Sequence, residues 1–181
     1  MLDLKKSVLK TGMTLALALL PLYGMQAASA LTIATKQQGM QQLKALNGKL
    51  IVIAGTYQDT TSYKRSLTFY FEEKAGAEWL HVPVMESEAD HDLTFFSISH
   101  GDDAVADAVF TTQGADNYLI VAEKKGSGVV AHWYKFAAAG ADYPDGPAYM
   151  FKPAGSKTYA KNTNPTVEGV LSKEVRTKAK Q

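Results

Sequence analysis

The stretch "SLTFYFEE", residues 66–73, alternates apolar and polar side chains along most of its length. Successive side chains of a β-strand point to opposite faces, so Leu67, Phe69 and Phe71 share one face and the polar residues between them share the other. This alternation predicts a strand that covers a hydrophobic core with one face only.

Similar runs rich in Val, Ile, Thr and aromatic residues recur on both sides of this stretch, separated by glycine-containing turns such as "EKAGAE", "QGADN" and "KKGSG". The regular spacing predicts a mainly β fold, an antiparallel β-sandwich or a partly open barrel of about eight strands. The other expected strands are residues 49–57, 78–86, 92–99, 107–112, 117–124, 129–136 and 148–153.

Two segments carry a less regular pattern. Pro83 lies inside the run 78–86 and cannot donate a hydrogen bond to a neighbouring strand, which predicts an edge or bulged strand there. Residues 34–47, "ATKQQGMQQLKALN", fit either a short helix or an edge strand.

The end of the chain changes from strand to helix character. Asn164 is a good N-cap and Pro165 suits the first helical position. The apolar residues that follow are spaced for one helix face, namely Val167, Val170, Leu171 and Val175. We therefore expect a C-terminal helix that packs on the sheet.

The N-terminus has the order of a secretory signal. Lys5, Lys6 and Lys10 precede the apolar run 13–22, and small residues end the segment at Ala30. Such a run is too short to cross a bilayer as a mature helix. We predict a signal peptide over residues 1–30, a single β-rich domain over 31–181, no membrane span after cleavage, and a periplasmic or secreted location.

The charge balance argues against several classes of partner. The chain has 19 Lys and Arg against 18 Asp and Glu, and the predicted signal removes more basic than acidic residues. A mature chain so close to neutrality predicts no binding to nucleic acid or to an anionic membrane. The absence of cysteine excludes disulfides and a lipoprotein anchor.

Residues 99–107, "SHGDDAVAD", are the densest cluster of titratable groups. In an extended strand His100 and Asp102 face away from Asp103, so the spacing does not bring three metal ligands together. In a loop, Asp102 or Asp103 can instead accept backbone N–H groups in a turn. An acidic turn is favoured, and a metal-dependent hydrolase built from these residues and His91 is the alternative from another class.

Nucleophilic catalysis has little support in the sequence. There is no G-x-S-x-G elbow and no cysteine, and the one S-x-x-K spacing, "SVLK", lies in the predicted signal. We therefore predict a protein that is not an enzyme, with no catalytic residues, no metal and no cofactor.

Several strings together resemble a known family. They are "LTFYFEEKAGAEWLHVPVME", "FFSISHGDDAVADAVFTT", "NYLIVAEKK", "VVAHWYKF" and "DYPDGPAYMFKPAGSKTYAKN". Read with the terminal helix, they look like the CarG-type carbapenem intrinsic-resistance proteins over about residues 50–174. Ser99, Gly101 and Asp103 match the S-x-G-x-D element of that family, and "PDGPAYMF", which includes Tyr149, is an altered form of its second motif.

The resemblance implies a periplasmic protein that protects its host from a carbapenem without hydrolysing it. Expected partners are a β-lactam-like small molecule or a cell-wall protein, and a homodimer formed through an edge strand such as 78–86 is a further alternative. The expected ligand-binding residues are Ser99, Asp102 and Asp103, which shape the turn, and Tyr149 beside it. Ala104 and Asp107 depart from the family element, which often has a cysteine and a histidine there.

Overall fold

The computed structural model describes most of the chain after the predicted signal peptide, which lies outside the described residues together with Asp102. The described residues are 32–34, 38–58, 63–87, 90–100, 103–141, 143–160, 162 and 164–177. Their helices and strands are β1 (Thr32–Ala34), β2 (Gly39–Ala45), β3 (Gly48–Gln58), β4 (Tyr63–Glu72), β5 (Leu80–His81), β6 (Val84–Met85), β7 (His91–Asp92), β8 (Thr94–Phe96), β9 (Ile98–His100), β10 (Asp103–Gln113), β11 (Asp116–Lys125), β12 (Gly128–Ala138), β13 (Tyr149–Tyr159) and α1 (Val167–Arg176).

The smaller of two sheets has the order β2-β3-β4-β5, with β8 also paired to β4. Its register places the apolar residues of the opening stretch opposite those of β3: Phe71 faces Leu50, Phe69 faces Val52, and Leu67 faces Ala54. All six side chains are buried, which confirms the predicted alternation. β2 forms the edge of this sheet, so the segment within 34–47 is a strand and not a helix.

The larger sheet has the order β1-β10-β11-β12-β13-β6-β7, with β9 paired to β10, and curls into a half-barrel. One face packs against the small sheet through aromatic contacts. The ring of Phe69 lies 4.7 Å from that of Phe151 and 6.4 Å from that of Phe110. Two sheets sharing one core and a C-terminal helix confirm the mainly β, partly open barrel architecture.

Helix α1 covers the opposite face of the large sheet. Val167, Val170 and Leu171 are buried there, as the spacing predicts. The predicted N-cap is wrong: Thr166, and not Asn164, caps the helix, and its Oγ1 accepts the Gly169 N–H at 3.1 Å. Thr166 has the extended backbone that an N-cap requires. Asn164 instead has a φ of 41°, in the left-handed region.

Two of the predicted strands are each divided between the sheets. In 78–86, β5 belongs to the small sheet and β6 to the large one. The change occurs at Val82 and Pro83, where the Val82 N–H donates to the Phe69 carbonyl at 2.9 Å and the Pro83 carbonyl accepts the Phe151 N–H at 2.8 Å. The alternation of side chains continues where the chain passes from one sheet to the other, so the sequence pattern does not reveal the crossover.

The run 92–99 changes sheet twice: Asp92 ends β7 in the large sheet, β8 belongs to the small sheet, and after Ser97 the chain returns to the large sheet as β9. The backbone N–H of Arg65 donates to Ser97 Oγ at 2.9 Å, and the Ser97 N–H donates to the Arg65 carbonyl at 2.8 Å. These crossovers join the sheets into one β structure.

Candidate functional site

The turn predicted to bind a ligand lies where β9 meets β10. Ser99 is exposed and pairs with Ala104. Asp103 begins β10 with 82% of its side chain exposed, and a carboxylate oxygen lies 3.7 Å from Lys124 Nζ. Asp102 lies outside the described residues. The described members are thus solvated, and their ligand-binding role stays a prediction.

Tyr149 does not lie beside this turn. It is the first residue of β13 and pairs with Ala138 at the end of β12. The register of β11 and β10 places this end of the sheet beside the β10–β11 turn at Gly114. Asp103 is at the other end of β10, 11 residues away along an extended strand. The expected position of Tyr149 beside the turn is therefore wrong, because the length of β10 separates it from Asp103, and its ligand-binding role stays a prediction.

The residues of the alternative metal site are also separated. His91 is on β7 at one margin of the large sheet, five strands from Asp103 on β10. Among the residues that the structure describes, no three His, Asp or Glu side chains are grouped closely enough to hold a metal ion. Asp102 and the side chain of His100 lie outside that description.

Tyr149 leads instead to a different site. Its ring packs 4.3 Å from that of Phe71, and its hydroxyl donates to Glu73 Oε1 at 2.7 Å. This hydrogen bond, with a smaller contribution from burial, raises the pKa of Tyr149 above its ordinary value. Glu73 in turn lines a cleft between the β2–β3 turn and the end of β4.

We call this feature the hairpin cleft; its volume is about 440 Å³. Such a volume lies within the range of small-molecule sites. Most of its lining residues are of charged or polar type, although their apolar atoms form much of the surface. They come from three adjacent strands and their turns: Gln42, Leu43, Lys44, Asn47, Gly48, Lys49, Glu72, Glu73, Lys74 and Ala75.

The turn that forms one wall has an unusual backbone. Leu46 has a φ of 47°, a left-handed conformation that is rare for a branched side chain. Next to it, Gly48 lies so close to β4 that an added Cβ would stand 2.2 Å from the Glu72 carbonyl oxygen. Only glycine allows this approach. This wall of the cleft therefore combines a strained backbone at Leu46 with close packing of Gly48 against β4.

Charge is distributed unevenly in the hairpin cleft. Glu72 Oε1 accepts the Gly76 N–H at 2.7 Å, and Glu72 Oε2 lies 3.5 Å from Lys49 Nζ. Lys44 and Lys74 are exposed and form no ion pair within the part of the chain that the structure describes. The carboxylates are engaged, and two ammonium groups remain available.

The sequence interpretation missed this site. Asn47 and Gly48 are a hairpin signal with a lysine nearby on each side, and that signal could have located the turn. The contribution of Lys74 could not be found in this way, because it depends on how β4 pairs with β3.

A second surface feature is the outer face of the small sheet, which is turned away from the core. Met40, Tyr57, Trp79 and Phe96 lie on it and are 43% to 54% exposed. The Tyr57 and Phe96 rings are 6.1 Å apart, while Trp79 lies 6.2 Å from Tyr70. Helix α1 packs on the other sheet and does not cover this face.

A third feature is a buried polar cluster where α1 meets the large sheet, which we call the helix junction. Glu174 is 2% exposed and accepts hydrogen bonds from Trp133 Nε1 at 2.7 Å, from Lys157 Nζ at 3.0 Å and from the Tyr159 hydroxyl. Burial alone raises the pKa of Glu174, but these hydrogen bonds outweigh it and lower the pKa below its ordinary value. The helix junction is thus a closed network that holds α1 in place.

The described residues contain no helix long and apolar enough to span a membrane.

Comparison with known proteins gives one informative result. Neither a protein-family model nor a curated protein sequence matches the chain. A crystal structure of CarG does match, with a TM-score of 0.58 and 20% sequence identity, over 71% of this chain and 89% of that one. The fold expected from the family resemblance is therefore confirmed: this chain has the fold of CarG.

Proposed function

We propose that this chain is an exported, non-enzymatic protein that protects its host from a carbapenem-type compound without hydrolysing it. The observation that carries the proposal is the shared fold with CarG over 71% of the chain. The signal-like N-terminus supports export to the compartment where β-lactams meet their targets.

The surfaces of the molecule are suited to binding. The hairpin cleft offers charged groups around a tight turn, and the outer face of the small sheet offers exposed aromatic rings. Either surface can protect the host without catalysis, by binding the compound or by binding and shielding its target.

The test is a susceptibility comparison. Host cells lacking the protein should become more sensitive to a simple carbapenem, and expression of the full-length chain should restore their resistance. The purified protein, incubated with the same carbapenem, should leave its concentration unchanged. Equal susceptibility of the two strains would refute protection, and turnover of the drug would refute the non-enzymatic mechanism.

The outer face of the small sheet favours one particular mechanism, which is contact with a cell-wall protein. Exposed apolar patches on a folded chain mark interaction surfaces more often than chance. A Trp79→Ser/Phe96→Ser variant should abolish protection at unchanged protein level. Ile98→Ser is the matched control, because Ile98 is equally exposed, at 46%, but lies on the large sheet. Full protection by the double variant would exclude this face.

A further inference from the structure

The hairpin cleft places two lysines directly opposite each other. Lys44 on β2 is the register partner of Lys49 on β3, so both side chains lie on the same face of adjacent strands. Like charges in this arrangement destabilise a sheet. Glu72 is the next residue across the register and compensates Lys49 alone. The charge on Lys44 therefore has no internal counterpart among the described residues.

The remaining groups of the lining are mainly donors. Glu72 is engaged by Lys49 and the Gly76 N–H, whereas Glu73 accepts a hydrogen bond from the neutral Tyr149 hydroxyl, which does not balance its charge. Three ammonium groups of the lining therefore face two carboxylates. Lys74 adds a second ammonium group, and the amides of Gln42 and Asn47 add neutral hydrogen-bonding groups. This donor set is complementary to an anion.

The β2–β3 turn beside these groups has a strained backbone. Leu46 stores backbone strain that a glycine would avoid, and strain of this kind clusters at functional sites. Leu43 and Ala75 supply an apolar part to the lining. The cleft can thus hold a molecule with a charged end and a short apolar body.

We propose that the hairpin cleft binds a small organic anion bearing a carboxylate or a phosphate group. Lys44 and Lys74 hold the anionic group, and Leu43 and Ala75 contact the body of the ligand. The inference goes beyond the proposed function, because it does not require the ligand to be an antibiotic.

The test is an NMR titration of the ¹⁵N-labelled protein, expressed from the full-length sequence, with benzoate, phenyl phosphate and benzamide at constant ionic strength. The first two probes distinguish a carboxylate from a phosphate ligand, and benzamide has the same ring without the charge. At least one anion should produce saturable shifts in residues 42–49 and 72–75, with affinity at least about tenfold above that of benzamide.

Substitution of the two lysines tests whether anion binding requires their charges. Lys44→Gln/Lys74→Gln should weaken anion binding by at least about tenfold. Lys125→Gln is the matched control, because Lys125 is an exposed lysine next to a different hairpin turn, and it should bind like the unchanged protein.

The proposal is overturned if neither anion shifts the cleft residues saturably, if benzamide binds as well as the anions, or if the double variant keeps full affinity. None of these results would affect the susceptibility comparison, so failure of the anion site is distinguishable from failure of the protective function.

Discussion

The helix junction and the hairpin cleft each place a buried glutamate beside a lysine, yet they differ in how the remaining charges are used. At the junction, Glu174 receives hydrogen bonds from three side chains, and Lys157 is held by Glu174. In the cleft, Glu72 compensates only Lys49 and leaves Lys44 uncompensated. A closed network stabilises the fold, whereas a network with surplus donors offers a surface for a ligand.

The largest expected effect on stability concerns the helix junction. Glu174→Ala leaves the Trp133 N–H and the Tyr159 hydroxyl buried without their acceptor, so we expect a loss of about 3 kcal/mol in the free energy of unfolding, measured in urea. Glu168→Ala is the control on the exposed side of the same helix and should cost about 0.5 kcal/mol or less. A loss below about 1 kcal/mol for Glu174→Ala would show that the network does not hold the helix.

The same carboxylate predicts a pH dependence. Because the pKa of Glu174 is lowered in the folded protein, its contribution to stability is present at pH values above its unfolded-state pKa and is lost as the pH falls through its folded-state pKa. Stability of the unchanged protein should therefore fall more steeply in acid than that of Glu174→Gln. Parallel acid limbs in the two urea series would contradict this assignment.

The next effect concerns the wall of the hairpin cleft. Gly48→Ala places a Cβ 2.2 Å from the Glu72 carbonyl oxygen, and backbone cannot move aside without disturbing the sheet. We expect a loss of about 2 kcal/mol in urea unfolding. At Gly140 the nearest atom to an added Cβ is Lys152 Nζ at 3.9 Å, so Gly140→Ala should be nearly neutral. Equal stability of the two variants would mean that the hairpin is not held against β4.

A smaller effect belongs to the start of α1. Thr166→Ala removes the acceptor of the Gly169 N–H and should cost about 1 kcal/mol by thermal or urea unfolding. Thr166→Ser keeps the hydroxyl and should retain most of that stability. If both variants unfold alike, Thr166 does not cap the helix, and the original expectation for Asn164 would need to be considered again.

The smallest effect has the opposite sign. Leu46→Gly relieves a left-handed backbone at an exposed turn and should raise the free energy of unfolding by about 0.5 to 1 kcal/mol. Leu46→Ala keeps the Cβ and should give no such gain. A loss of stability on Leu46→Gly would show that the turn is not strained.

The sequence predicts those parts of the fold that depend on local periodicity. The buried face of Leu67, Phe69 and Phe71 and the helix face of Val167 and Val170 both follow from spacing alone. The crossovers at 82–83 and at 97 do not, because side-chain alternation is the same whether or not a strand changes sheet.

The two polar sites depend on partners that are distant in sequence. Glu174 meets Trp133 across 41 residues, so the sequence shows only a glutamate within an apolar helix face. Lys44 and Lys49 are close in sequence, but their significance depends on β2 being a strand, which the sequence leaves open. The acidic turn at Ser99 and Asp103 is visible in the sequence because its titratable residues are adjacent. The lysines of the cleft become a candidate site only once the strand register places them side by side.

The rates at which lysines are acylated in the native protein, measured by mass spectrometry, test the central claim most directly, because one experiment compares both regions. Hydrogen bonds to Tyr159 and Glu174 raise the pKa of Lys157, so it should carry less of the reactive neutral amine and react slowly. Lys44 and Lys74 should react quickly, and Lys157 should react faster in Glu174→Ala than in the unchanged protein. Equal rates for Lys44 and Lys157 in the unchanged protein would contradict the distinction between a closed junction and an available cleft.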